Sequence, residues 1–180
     1  MYQFKCNLRY NHSSGMSNAW LVMVWRLPHG SSTPRVTTWR SLKRLGAASL
    51  TPGAALLPFR DDLLEQLGWM AQEVEEMGGD AWVLPVNQLT EVEEAQVRDQ
   101  VNAEREAEYR DVAKEAAALL ARAGGQPPTN RELGALRRRL ERIRGRDHYA
   151  AHGHMEAIKM IEDLAKQSPR PTQSVVVTET

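Results

Sequence analysis

The sequence is poor in the features that would place a protein outside the cell or in a membrane. Its 180 residues include a single cysteine, Cys6, which excludes an intramolecular disulfide. The longest apolar candidate, residues 45–59, is interrupted by glycines and prolines and suits a hairpin better than a membrane span. The first residues lack the apolar core of a signal peptide. We therefore expect a cytoplasmic protein with no membrane partner.

The sequence also lacks the motifs by which many enzymes are recognised. It has no glycine-rich phosphate loop, no GxSxG elbow and no paired metal-binding carboxylates after a strand. His148, His152 and His154 have partly metal-like spacings, but neither cysteines nor a glutamate between paired histidines accompany them. Exposed loop histidines are the favoured interpretation. We expect no catalytic residue, no metal and no cofactor, and hence a binding protein rather than an enzyme.

Charge is distributed unevenly along a chain whose formal net charge is zero. Ala19–Leu50 contains basic residues and no acid, a profile that favours an anionic partner. Residues 60–94 carry ten acids against the single base Arg60, whereas residues 131–146 carry seven arginines against two glutamates. Local fields of opposite sign therefore persist although the net charge vanishes.

The hydrophobic pattern of residues 18–88 predicts an α+β domain. Trp20–Trp25 is an apolar run typical of a strand covered on both faces. Helices are predicted over 34–45 and 61–77, two short strands meet at a Pro52-Gly53 turn, and a last strand covers 81–86. The resulting order βαββαβ is the ferredoxin-like sandwich, a four-stranded antiparallel sheet with two helices on one face. Pro85 indicates either an edge position for the last strand or the end of that strand.

The first predicted helix carries the first candidate site. Thr33 is predicted to cap it and Pro34 to occupy its first turn. Its core-facing side is predicted to consist of Val36, Trp39 and Leu42. Its basic side could neutralise nucleic-acid phosphates, although a merely solvated flank is the competing interpretation. That basic side consists of Arg40, Lys43 and Arg44.

The start of the same helix is a second candidate site, for a small oxyanion. Free N–H groups and the positive end of the helix dipole attract anions, and nearby hydroxyls add donors. The candidate residues are Ser31, Ser32, Thr33 and Arg35. Simple capping is the alternative, because Thr33 and Pro34 need no ligand to explain them.

Residues 89–167 are predicted to form a helical hairpin followed by a final helix. Thr90-x-x-Glu93 and Thr129-x-x-Glu132 are capping boxes that open the two hairpin helices. The second of these helices contains the third candidate site, the arginines Arg137, Arg138 and Arg139, accompanied by Arg142, Arg144, Arg146 and His148. They could contact nucleic acid or pair with acids of this chain. The tails 1–17 and 168–180 are expected to be disordered, or for the first tail a start-site artefact.

Four segments of the sequence resemble the N-terminal domain of ChrB-type chromate-resistance regulators. They are WLVMVWRLPHGSSTPRVTTWRSLKRLGAASLTPGAALLPF, EMGGDAWVLPV, QVNAEREAEYRDVAKEAAALL and RRRLERIRGRDHYAA. The ferredoxin-like half also resembles the central domain of PaaX-type repressors and, more remotely, the small CRISPR adaptation nucleases. The longer ChrB-type proteins carry a second, C-terminal domain. The resemblance thus implies a bacterial regulator of the chromate response that does part of the task or acts with a separate partner.

Three functions follow as hypotheses. The first is a chromate-resistance regulatory protein that binds DNA through the basic helix surfaces, as a homodimer, with the chromate oxyanion as effector. The second is a protein-interaction or dimerisation module without DNA binding, because the edge strands of such sheets pair readily. The third is a vestigial metal-dependent nuclease. It is disfavoured because Arg26-Leu27-Pro28 stands where the resembling nucleases hold a metal-binding aspartate.

Overall fold

The structure, a computed structural model, describes residues 19–28, 32–122 and 127–167. The elements are β1 (Trp20–Arg26), α1 (Ser32–Leu45), β2 (Ala48–Thr51), β3 (Ala54–Pro58), α2 (Asp61–Glu76), β4 (Asp80–Val86), α3 (Glu91–Arg122), α4 (Asn130–Arg144) and α5 (His154–Gln167). Within these ranges, no helix combines the length and the apolar character needed to cross a bilayer. Both predicted tails lie outside the described residues.

The four strands form one antiparallel sheet in the order β2-β3-β1-β4. Met23 in the central strand β1 pairs with Ala55 of β3 on one side and with Val83 of β4 on the other. This is the ferredoxin-like order, so the predicted fold class, with its helical extension, is confirmed. Strand β4 lies at the edge, one of the two placements that Pro85 indicated.

One face of the sheet is covered by α1 and α2. Leu21 and Met23 of β1, Leu42 of α1 and Leu67 of α2 are completely buried there. Alternate residues of β1 point to this face because side chains alternate across a strand. Helix α2 buries Leu63, Leu67, Met70 and Val74. Met77, which the prediction placed as the last residue of this helix, lies beyond the helix end and is exposed.

Helix α1 differs from its prediction in start and phase. It begins at Ser32, so Thr33 is its second residue and not its cap. Thr38 and Leu42, four residues apart, face the sheet, whereas Val36 is 42% exposed and Trp39 is half-buried beside the core. The prediction for Val36 was therefore wrong. Thr38 can be buried because its hydroxyl donates a hydrogen bond to the Pro34 carbonyl at 3.0 Å. The polar group therefore keeps a hydrogen-bond partner inside the protein.

Helix α3 contributes to two separate cores. Near its start, Val97 and Val101 pack with Trp20 on the face of the sheet opposite α1 and α2. Trp20 is thus covered, whereas Val22 and Val24, which point to the same face farther along β1, are only partly buried. The prediction that the run is covered on both faces therefore holds for its first residues and not for the whole strand. Farther along, Tyr109 and Val112 enter a second core made with α4 and α5.

The helical extension packs as three helices. Its core includes Leu136 and Leu140 of α4 and Ile161 and Leu164 of α5, all buried against α3. Both predicted capping boxes are present: Glu93 accepts from the Thr90 backbone N–H at 2.9 Å, and the Thr129 box has both of its reciprocal hydrogen bonds. These caps fix where α3 and α4 begin.

Candidate nucleic-acid interface

Arg40 and Arg44 lie on the outer side of α1. They are four residues apart and both are exposed, so they share one face of the helix. The guanidinium of Arg44 donates to the Ser41 hydroxyl at 2.7 Å, and among the described residues neither arginine forms an ion pair. Two of the three basic residues predicted on this face therefore present their charge to solvent.

Lys43, the third member of that predicted set, faces the protein. Its ammonium group pairs with the Glu104 carboxylate of α3 at 2.5 Å and lies 4.9 Å from the centre of the Trp39 ring. Its side chain is only 27% exposed. The charge of Lys43 thus holds α1 against α3 and is not presented on the same surface as Arg40 and Arg44.

The predicted oxyanion residues are only partly described. Ser31 and the side chain of Ser32 lie outside the described residues. Thr33 is exposed in the first turn of α1, and Arg35, also exposed, donates to the Leu27 carbonyl over a long 3.4 Å. Arg35 also lines a cleft beside β1. An oxyanion at the helix start stays a prediction.

The buried seam of α4 determines where its arginines point. Leu136 and Leu140 face α3 and α5, which leaves Arg137 and Arg138 exposed. Neither of these two arginines forms an ion pair within the described ranges. Arg139 lies at the edge of the seam and donates to Glu115 of α3 at 2.9 Å. Of the two interpretations left open by the sequence, intramolecular pairing thus holds for Arg139, while Arg137 and Arg138 present their charge to solvent.

Two further exposed arginines extend this outer surface. Arg131 precedes Arg138 by two helical turns and Arg142 follows it by about one turn, so the three residues share one face of α4. All three are exposed, and in the described part of the chain none is ion-paired. We call these three residues the outer arginine stripe. The sequence prediction had named Arg142 beside Arg137, Arg138 and Arg139 but had not included Arg131, although its spacing of two helical turns from Arg138 could have indicated it.

The remaining arginines near the end of α4 bind acids of the chain itself. Arg144 pairs with Glu141 at 2.9 Å, and Arg146 pairs with Glu108 of α3 at 2.6 Å. The Arg146 side chain is 21% exposed. Arg144 therefore pairs within α4, and Arg146 holds the following loop against α3. Among the arginines of α4, those that are exposed and without an ion pair in the described residues are the outer arginine stripe and Arg137.

The start of α4 is held by charge as well as by hydrogen bonds. Hydrogen bonds from the Thr129 backbone and hydroxyl lower the pKa of Glu132, and Arg122 lowers it further. The Arg122 guanidinium lies 3.0 Å from Glu132 and comes from the last turn of α3. The ionised glutamate thus joins the end of α3 to the start of α4. This contact helps to hold α4, which carries the outer arginine stripe, against α3.

A buried polar junction separates the two cores along α3. Arg105 is 3% exposed, and its guanidinium lies 3.3 Å from both Glu104 and Glu108. Glu104 also holds Lys43, and Glu108 also holds Arg146. These five side chains form a chain of alternating charge, which compensates a buried guanidinium that would otherwise be costly.

The histidine cluster is divided between different environments. His148 is half-buried and hydrogen-bonded to the Leu45 carbonyl at 2.7 Å, so the expectation that it is exposed was wrong. His152 is exposed, and His154 is half-buried with its ring 6.0 Å from the Tyr109 ring. Across the part of the chain that the structure describes, no three His, Cys, Asp or Glu residues are grouped to hold a metal ion.

The fold defines a small α+β module, in which a long helix joins the sheet to a helical unit with basic outer residues. Residues 35–123 match the family described as Protein ChrB, N-terminal. Protein ChrB of Cupriavidus metallidurans is 38% identical over 85 residues, which cover 47% of this chain and 26% of that protein. No solved structure matches the chain significantly.

The chain therefore contains a ChrB N-terminal-type domain, which confirms the predicted resemblance. The match includes most of α1, the strands β2 to β4 with α2, and all of α3. The outer arginine stripe on α4 lies after the matched residues. The chain spans about a quarter of the length of its curated relative, so the activity of that whole protein does not transfer directly to this chain.

Proposed function

We propose that this protein is a regulatory module of chromate resistance that binds DNA through exposed arginines. Its ChrB N-terminal-type domain supports the association with chromate resistance. The observation that carries the DNA-binding part is the outer arginine stripe, Arg131, Arg138 and Arg142, exposed on one face of α4 and without an ion pair in the described residues. The proposal is of a binding protein without catalysis, in the compartment that holds the DNA.

Electrostatics favours α4 over α1 as the main contact. Exposed guanidinium groups bind phosphate bidentately and gain from the release of condensed counterions. α4 offers Arg137 in addition to the outer arginine stripe, while α1 offers Arg40 and Arg44, since Lys43 is held by Glu104. The proposal therefore assigns the main phosphate contacts to α4 and a secondary role to α1.

The test is fluorescence anisotropy with duplex DNA from upstream of the protein's own gene, repeated across a series of salt concentrations. In Arg138→Ala/Arg142→Ala, the slope of log affinity against log salt should fall by about 2, because each missing guanidinium leaves one phosphate with its condensed counterion. The matched control is Lys159→Ala/Lys166→Ala on α5, which removes the same charge elsewhere. The Arg40→Ala/Arg44→Ala variant measures the contribution of α1.

Equal slopes for the α4 variant and the α5 control would contradict the assignment to α4. No binding by the wild type at low salt would contradict DNA binding altogether. Chromate as effector, at Ser32 and Arg35, is tested by adding chromate to the same titration with Arg35→Gln as the comparison.

A second candidate function, a dimerisation or protein-interaction module, is favoured by the sheet face that α3 leaves uncovered. On the edge strand β4, Trp82 and Leu84 are 55% and 48% exposed and lie beside Val24 and Val22 of β1. Exposed apolar side chains on an edge strand are typical of contact surfaces. Sedimentation of the wild type against Trp82→Lys tests this function: a dimer that dissociates in the variant supports it, and a monomer in both excludes a homodimer through β4.

A further inference from the structure

A cleft of about 590 Å³ lies beside the end of β1. Its walls come from the end of β1, the first half of α1 and the β2–β3 hairpin. The lining residues are Trp25, Arg26, Leu27, Arg35, Trp39 and residues 49–53. This volume lies within the range of small-molecule sites, about 300–1,000 Å³.

The hairpin wall of the cleft is fixed closely against β1. The backbone N–H of Trp25 donates to the Gly53 carbonyl at 2.8 Å. Gly53 has φ +93°, and a Cβ there would lie 2.6 Å from the Trp25 carbonyl oxygen. Only glycine permits this approach, so the cleft is part of the folded sheet and not a gap beneath a loose turn.

Two indole rings give the cleft an apolar interior. Trp25 is 9% exposed and belongs to the main core, and Trp39 is half-buried against the same core. Leu27 is a further buried residue of the lining. Indole rings provide flat apolar surfaces on which a planar ligand can stack.

Arg35 provides the charge available to a ligand in the cleft. The other lining cation, Arg26, is paired with Asp80 at 2.7 Å. Arg35 forms no ion pair with any described residue, and its hydrogen bond to the Leu27 carbonyl is long at 3.4 Å. A strongly hydrated inorganic oxyanion gains little from apolar walls, whereas a carboxylate on an apolar body uses both the guanidinium and the indoles.

We propose that this cleft binds a small organic carboxylate with a flat apolar body, held by its carboxylate on Arg35 and by its body against Trp39 and Trp25. The residues of this ligand site differ from those of the outer arginine stripe. The proposed ligand binding therefore does not depend on whether the protein binds DNA. An organic anion on Arg35 is an alternative to the chromate effector considered at the same residue, and competition between the two anions distinguishes them.

The test uses 2-naphthoate as the probe and neutral 2-naphthamide as its uncharged counterpart, in calorimetric titrations with the full chain. Naphthoate should bind saturably, at least about ten-fold more tightly than naphthamide, because a charge-assisted hydrogen bond contributes that much or more. Arg35→Gln should weaken naphthoate binding by a similar factor. Arg40→Gln, on the same helix but outside the cleft lining, should leave it unchanged.

Two measurements locate the site and distinguish the ligand classes. In ¹⁵N spectra, naphthoate should shift the indole signals of Trp25 and Trp39, assigned by single Trp→Phe variants, and leave that of the exposed Trp69 in place. Inorganic phosphate and chromate should fail to displace naphthoate at equal concentration. Displacement by either, unchanged binding to Arg35→Gln, or no saturable binding of naphthoate would overturn the proposal.

Discussion

The Nε2 of His148 donates a hydrogen bond to the backbone carbonyl of Leu45 at 2.7 Å, across 103 residues of sequence. Leu45 is the last residue of α1, where carbonyls lack an intrahelical partner. The loop after α4 thus satisfies the end of α1 and ties the helical unit to the sheet unit. Burial lowers the pKa of His148 below its ordinary 6.5, chiefly because the ring is withdrawn from water.

This hydrogen bond predicts a pH dependence of stability. The folded state keeps His148 neutral, whereas in the unfolded chain the ring takes up a proton near pH 6.5. The unfolded state therefore binds more protons, and the free energy of unfolding should fall as the pH drops below about 6.5. Urea unfolding between about pH 5 and 8 measures this. His148→Gln keeps a donor but does not titrate, and it should remove that part of the decline; an identical pH profile in the variant would contradict the prediction.

Gly46 should tolerate no side chain. It has φ +84°, and an added Cβ would lie 2.4 Å from the Arg146 carbonyl oxygen. Gly46→Ala should therefore lower the free energy of unfolding by at least about 2 kcal/mol, through left-handed strain and displacement of the 146–149 loop. The matched control is Gly68→Ala, at an exposed position of α2 where nothing lies within 4 Å. It should stabilise by about 0.5–1 kcal/mol, and equal effects in denaturant melts would refute this account.

Tyr109 and Tyr149 should respond differently to loss of their buried hydroxyl groups. Tyr109 donates to Asp147 at 2.9 Å, whereas the buried Tyr149 hydroxyl has no hydrogen-bond partner among the described residues. Tyr109→Phe should cost about 1–3 kcal/mol. Tyr149→Phe should be neutral or slightly stabilising, because it removes a buried group that makes no bond. Chemical denaturation of both variants checks the pair, and a larger loss for Tyr149→Phe would count against it.

The polar junction on α3 should be far more sensitive to substitution than a surface ion pair. Arg105→Ala removes a guanidinium that is 3% exposed and leaves Glu104 and Glu108 partly uncompensated, so we expect a loss of about 3–5 kcal/mol. In the comparison variant Arg26→Ala, the ion pair with Asp80 that is removed has a cation side chain 80% exposed, and the cost should be below about 1 kcal/mol. Thermal melts of the two variants should differ clearly; similar midpoints would contradict this expectation.

The sequence was most informative where an element's character depends on local pattern. The apolar run at Trp20, the Pro52-Gly53 turn and both capping boxes predicted elements and order correctly, since each signal is complete within a few residues. The phase of α1 was missed at Val36, because the stripe that faces the sheet is selected by packing against β1 and α2. Within the helix itself, the apolar side chain of Val36 favoured it over the hydroxyl-bearing Thr38, so the local signal pointed to the wrong residue.

The candidate site was predicted less well because ion pairing is a long-range property. Lys43 and Glu104 are 61 residues apart, and Arg139 and Glu115 are 24 apart, so their partners could not be read from local spacing. Which arginines remain exposed follows only once α3 and α4 are packed together. The helical spacing of Arg131, Arg138 and Arg142 was available, but it was obscured by the consecutive arginines 137–139.

Helix α3 contributes side chains to two cores, so a shorter segment of this chain that is built around α3 can lack parts of both. The segment that matches the ChrB N-terminal family, residues 35–123, contains all of α3. It omits β1, the strand that is hydrogen-bonded to both β3 and β4. It also omits α4 and α5, so Val97 would lose Trp20 and Val112 would lose Leu136. The stretch that matches the family is therefore shorter than the set of elements that completes the two cores, and we expect residues 35–123 expressed alone to lack part of both.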